Sequence, residues 1–108
     1  MSNEDTFTKI VNLPAGVGTT VLSARNDKTR KIYSIIASDK SGAANYINIE
    51  IIKEGAEAGK TFRINIGAND NEYFRGTVES PVITLKPGYN LNATANGAAD
   101  LLIDFVEQ

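Results

Sequence analysis

Val82-Ile83-Thr84-Leu85-Lys86-Pro87-Gly88-Tyr89-Asn90-Leu91-Asn92-Ala93-Thr94-Ala95-Asn96-Gly97 decides the fold class of this chain. Residues 82–85 are apolar and β-branched, and Lys86-Pro87-Gly88 sets proline beside glycine, a turn signature. From Tyr89 onward, small or apolar residues alternate strictly with polar ones. A period of two puts Tyr89, Leu91, Ala93 and Ala95 on one face and Asn90, Asn92, Thr94 and Asn96 on the other. Such a strand belongs to an antiparallel sheet with one wet face. Asn96-Gly97 marks a second turn, and Leu101-Leu102-Ile103-Asp104-Phe105-Val106 reads as a closing strand.

Upstream, turn signals recur at short and fairly even spacing, as in all-β sandwiches and barrels. Pro14-Ala15-Gly16-Val17-Gly18 precedes the β-branched run Thr19-Thr20-Val21-Leu22-Ser23. A strand is predicted over 29–38, with Ile32, Tyr33, Ile35 and Ile36, and Asp39-Lys40-Ser41-Gly42 turns the chain after it. Tyr46-Ile47-Asn48-Ile49-Glu50-Ile51-Ile52 alternates with Ile47, Ile49 and Ile51 inward. Lys60-Thr61-Phe62-Arg63-Ile64-Asn65-Ile66 alternates again. Between them Ala56-Glu57-Ala58 is bracketed by Gly55 and Gly59, which favours a loop over a helical turn. A weaker strand is predicted over 72–79. The expectation is an all-β, antiparallel single domain of seven to eight strands over 13–108, a sandwich or a barrel. Residues 1–12 form either an edge strand or an arm that adds to a partner's sheet.

Composition narrows the function. The 108 residues are 42% hydrophobic, which suits one globular domain. No apolar run reaches the ~20 residues of a membrane-spanning helix. The start Met1-Ser2-Asn3-Glu4-Asp5 is polar and acidic with no apolar signal region after it, so a protein made and kept in the cytoplasm, or assembled there, is expected. Cysteine and histidine are both absent. Their absence removes disulfides, thiolate and ordinary zinc sites, a thiol nucleophile and the Ser-His-Asp triad. The net charge of −2 gives nucleic acid no attraction. No cofactor, metal or catalytic residue is expected, and neither nucleic acid nor membrane is expected as a partner.

Four constellations bear on chemistry. Asn69-Asp70-Asn71-Glu72 gathers oxygen-bearing side chains, but the EF-hand spacing is missing and a solvated turn accounts for them. Gly16-Val17-Gly18-Thr19-Thr20 lacks the lysine of a phosphate loop and leads into a strand. Arg25, Lys28, Arg30 and Lys31 form the one basic cluster, which reads as charge blocking edge pairing or as a patch for an acidic protein surface. Glu50, Glu54, Glu57, Asp100 and Asp104 are the carboxylates a glycosidase would need, and sequence does not pair them. Asp104, inside an apolar strand, is expected to face solvent or a subunit interface, since an unpaired buried carboxylate is costly.

The order of motifs carries a resemblance. Leu13-Pro14-Ala15-Gly16-Val17-Gly18-Thr19-Thr20-Val21-Leu22 resembles the opening of small virion proteins of tailed bacteriophages. Residues 31–38, Ser41-Gly42-Ala43-Ala44 and Tyr46-Ile47-Asn48-Ile49 resemble their following hairpin. Residues 81–93 resemble their Pro-Ile, Leu-Lys-Pro-Gly-Asp element, with Tyr89 where those proteins usually carry an acidic or polar residue, and residues 98–107 resemble their closing strand.

The resemblance implies a capsid decoration (cement) protein, a compact antiparallel β-sandwich, jelly-roll-like, that is often a homotrimer. It would sit on the capsid surface of the virion and hold neighbouring major capsid protein subunits together. The contact residues expected for that role are Phe7 and Lys9 on the N-terminal segment, Arg25, Lys28 and Arg30 in the basic cluster, and Asn90, Asn92 and Thr94 on the polar strand face. Hydrogen bonding across a three-fold interface and a plain wet face are both open for the last three. The alternative function is a carbohydrate- or receptor-binding head-fibre or tail module, with Tyr33, Tyr46, Tyr73, Phe74 and Tyr89 as candidates to stack on a sugar. An enzyme working through carboxylates ranks last.

Overall fold

The computed structural model describes residues 5–108. Residues 1–4 of the expected N-terminal segment lie outside the described residues. The described chain is all β, with nine strands: β1 Asp5–Leu13, β2 Thr19–Leu22, β3 Arg30–Asp39, β4 Asn45–Lys53, β5 Lys60–Ile66, β6 Asn71–Arg75, β7 Ile83–Leu85, β8 Tyr89–Ala95 and β9 Ala99–Glu107. No helix among the described residues is long and apolar enough to cross a membrane.

The strands form two antiparallel sheets. One runs β1-β9-β3-β6, with β7 sharing the β6 edge of β3; the other runs β2-β8-β4-β5. The ladders nest: β1 pairs with β9, β2 with β8, β3 with β6 and β4 with β5. The chain is thus folded as one long hairpin wrapped across two sheets, which is the jelly-roll arrangement with β7 as a short addition. Nine strands stand where seven to eight were expected. The predicted 72–79 strand stops at Arg75, because the Gly76 amide donates to the Tyr33 carbonyl and Thr77 closes a turn on the Ser80 carbonyl.

Alternation places the core. Ile32, Ile35 and Ala37 of β3 and Leu101 and Ile103 of β9 face Ile47 and Ile49 of β4 and Leu91, Ala93 and Ala95 of β8, all at most 2% exposed. The turn before β8 is built as its residues demand. The Tyr89 amide donates to the Lys86 carbonyl at 3.2 Å, with proline at the second position and Gly88 at φ 87° in the third. At Gly97 the requirement is space: a Cβ there would lie 2.8 Å from that of Ser41.

The sheet edges are blunted. The inward-facing side of β1 carries Lys9, opposite Ile103; that of β5 carries Lys60, opposite Ile51; that of β6 carries Glu72, opposite Ala37. An inward-pointing charge on an edge strand resists pairing with another chain, and the fourth edge, β2, is only four residues long.

Candidate interaction surface

The two outer faces differ in chemistry. On the β2-β8-β4-β5 sheet the outward row is Thr20, Asn92, Glu50 and Thr61, and the next row holds Thr94, Asn48 and Arg63. Arg63 donates to the Asn48 side chain at 3.0 Å and lies over the Tyr46 ring at 3.8 Å. This face is polar, with Arg63 bonded to Asn48 and Asn92 to Glu50 within it.

On the other sheet one outward row is apolar from edge to edge. Ile10 of β1 pairs with Leu102 of β9, Leu102 with Ile36 of β3, and Ile36 with Tyr73 of β6. Ile10 is 66% and Tyr73 55% exposed, and Leu102 and Ile36 are half-buried between them. Polar rows flank this one: Thr8, Asp104, Ser34 and Arg75 on one side, Asn12, Asp100, Ser38 and Asn71 on the other. The Thr8 hydroxyl donates to the Asp104 carboxylate, and Lys40 stands 3.6 Å from the Asp100 carboxylate. Asp104 therefore lies on the outward face with a hydrogen-bond partner. A flat apolar row between polar rails suits another protein surface, since it offers area and alignment but no cavity.

The expected contact residues are dispersed. Phe7 sits on the inward side of β1, 39% exposed, its ring stacked on Phe105 with centroids 5.3 Å apart. Lys9 is exposed on the same side. Arg25 pairs with Asp27 at 3.2 Å and Glu107 at 3.0 Å. Lys28 is half-buried near this group.

Arg30 is 3% exposed, so its guanidinium serves the fold: it donates to the Ser23 carbonyl at 2.6 Å and the Tyr89 carbonyl at 3.2 Å, opposite Glu107 in register. Burial lowers the Arg30 pKa below the ordinary arginine value, and Glu107 opposes that shift. Asn90 accepts from the Ala24 amide at 2.7 Å, Asn92 donates to Glu50 at 3.4 Å, and Thr94 is half-buried beside Gly18.

At the Asn69-Asp70-Asn71-Glu72 loop, the Asp70 side chain accepts from the Asn71 amide, as in a solvated turn. Among the described residues no group of three or more acidic side chains gathers to hold a metal ion.

Two groupings escaped the sequence reading. The apolar row has a faint signature: Ile35-Ile36 and Leu101-Leu102 break strict alternation, placing an apolar residue on the side that should be wet. The second is an open depression of about 560 Å³ whose walls include Lys53, Lys60 and Lys86, with Ile51, Ala58 and Tyr89 as apolar lining. Lys53 and Lys60 flank the β4–β5 connection and Lys86 lies in the turn before β8, a meeting that only the fold creates. It offers positive charge to a carboxylate-bearing surface.

No family model matches the chain, and no curated protein does. Among solved structures the chain is similar to the Dit (gp 19.1) protein of SPP1, described as a paradigm of the hub adsorption apparatus in phages infecting Gram-positive hosts. The identity is 15% and the TM-score 0.45, over 94% of this chain and 45% of that one. The chain thus spans less than half the length of that protein.

Proposed function

We propose that the protein is a structural subunit of a tailed-phage virion, one that decorates the outside of the head and stabilises contacts between major capsid subunits. The observation that carries this reading is the edge-to-edge apolar row Ile10, Leu102, Ile36 and Tyr73 on an otherwise polar sheet face. Covering it with protein removes apolar area from water at about 25 cal/mol per Å². The blunted edges direct association to faces, which suits a subunit that assembles without polymerising into open sheets. The resemblance of the sequence motifs to those of small virion proteins supports the major capsid protein as the partner. The lysine-walled depression supplies charge for an acidic patch on the shell. Many copies, each held weakly, add up through avidity, so one tight site is not needed.

The test is addition of purified protein to heads that lack it, followed by sedimentation. Saturable attachment at hundreds of copies per head, with raised resistance to heat, is expected. Failure to attach to any undecorated head would overturn the reading.

One observation favours the second reading, a carbohydrate- or receptor-binding fibre or tail module. Tyr73 is 55% exposed on the outward side of the edge strand β6, as a ring that stacks on a sugar requires. Glycan binding lost in Tyr73→Ala, together with a handful of copies per particle, would put this reading first.

A further inference from the structure

We infer that the apolar row on the outer face of the β1-β9-β3-β6 sheet is covered by the same face of a second copy, the two related by a two-fold axis parallel to the strands between β9 and β3. This rests on reading the chain as an assembling structural subunit; it gives the apolar face to the second copy and leaves the lysine-walled depression to meet the shell.

The row is self-complementary under such an axis. Rotation keeps each row at its level and reverses its order across the strands. Ile10 then meets the second copy's Tyr73, and Leu102 meets its Ile36, so each wide exposed end caps the other.

The flanking charges choose between the two ways of stacking the face on itself. With the axis parallel to the strands, Asp104 opposes the second copy's Ser34 and Asp100 its Ser38, so no like charges oppose. Arg75 lies beside Ser34 across the sheet and Lys31 is further along β3, so the second copy brings both cations to the neighbourhood of Asp104. With the axis along the row instead, Asp104 would oppose the second copy's Asp100, a like-charge contact that is unfavourable at an interface. A face-to-face pair of sheets inclines by about 30°, which leaves the central row in contact and splays the corners.

The area fits a weak pair. β1 and β9 supply nine residues each, β3 ten and β6 five; at ~4.8 Å between strands and ~3.3 Å per residue the face is roughly 500 Å² per copy. The pair would bury at most roughly 1,000 Å² in total, the size of a transient interface. A reversible dimer in the micromolar range is expected, one that forms readily at high local concentration.

Sedimentation equilibrium on the full chain should give a dimer mass at tens of micromolar. Ile10→Asp and Tyr73→Glu, both at exposed positions, should each weaken the dimer at least tenfold with unchanged circular dichroism. Because the chain has no cysteine, a short bis-maleimide linker that spans the ~10 Å between packed sheets reads the axis directly. The double variant Ile10→Cys/Tyr73→Cys should yield a covalent dimer. Within one copy the two positions are three strand spacings apart, about 14 Å, beyond the reach of that short linker.

Ile10→Cys alone should stay uncross-linked, because the axis places the two copies of residue 10 at opposite edges. Cross-linking of that single variant, a monomer at all concentrations, or a trimer indifferent to Tyr73→Glu would each overturn the inference. A monomer that attaches to heads through Tyr73 would overturn it while sparing the proposed function. A dimer that never attaches to heads would support it while removing that function.

Discussion

Asp39 and Asn45 hydrogen-bond to each other at 3.0 Å inside one end of the sandwich, at 6% and 5% exposure, and between them they tie three loops together. Asp39 accepts from the Ser41 hydroxyl and amide, the Gly42 amide and the Asn69 amide. Asn45 donates to the carbonyls of Gly97 and Ala98 and accepts from the amides of Tyr46 and Gly97. The loops after β3, before β6 and between β8 and β9 are thus held by two side chains. Asn45→Ala would strand these loop groups without partners in a site too closed for water to repair. We expect a loss on the order of 2–4 kcal/mol in urea unfolding, with the fold retained.

The same knot sets a pH dependence. The Asp39 carboxyl is held well below the usual carboxylate range, first by the Ser41 hydroxyl and then by the Asn69 amide, with burial opposing. A depressed folded pKa means that the unfolded chain takes up the proton first as pH falls. The contribution of Asp39 is therefore fully present above the ordinary aspartate value of about 4 and is lost as pH drops through the lower folded value. Urea midpoints should begin to fall below about pH 4 on this account. Asp39→Asn should lower stability at pH 7 and flatten that acid limb. An acid limb as steep in the variant as in the wild type would assign it to other carboxylates.

Which parts of this were legible in sequence follows from what alternation can encode. The strand 89–95 and its faces read directly, because Leu91, Ala93 and Ala95 are buried and Asn90, Asn92 and Thr94 are not fully so. Pairing between distant strands leaves no such trace, so the row of Ile10, Leu102, Ile36 and Tyr73 emerges only from register. Arg30 looked like surface charge because it sits in a basic cluster. Its phase said otherwise: two residues from Ile32, it shares the inward side. Asp39, two residues after Ala37, and Glu107, two after Phe105, are inward by the same count.

The turn into β8 offers a sharper local test. Gly88 holds φ 87°, a conformation that residues with a Cβ rarely adopt, and its amide donates to the Arg25 carbonyl at 2.8 Å. Gly88→Ala should cost about 1–2 kcal/mol through backbone strain. Alanine at Gly18, where φ is not positive and the nearest atom to an added Cβ is the Thr94 hydroxyl at 3.6 Å, should be tolerated. Thermal melts of the two variants side by side would check the contrast.

Leu101 and Leu102 are adjacent in sequence and opposite in role. Leu101 is 1% exposed in the core, so Leu101→Ala should cost roughly 2–5 kcal/mol through lost burial and the cavity left behind. Leu102 points outward into the apolar row and is only half-buried in a single copy. Leu102→Ala should cost no more than about 1 kcal/mol at protein concentrations where single copies prevail. At high concentration the cost should grow, because association stabilises the folded state by mass action and the variant forfeits part of that contact. Melting points measured across a hundredfold range of concentration separate the two effects. A midpoint that rises with concentration in the wild type and less so in Leu102→Ala is the expected result. A Leu102→Ala penalty as large as that of Leu101→Ala and independent of concentration would mean that the row is held for folding, not for a partner.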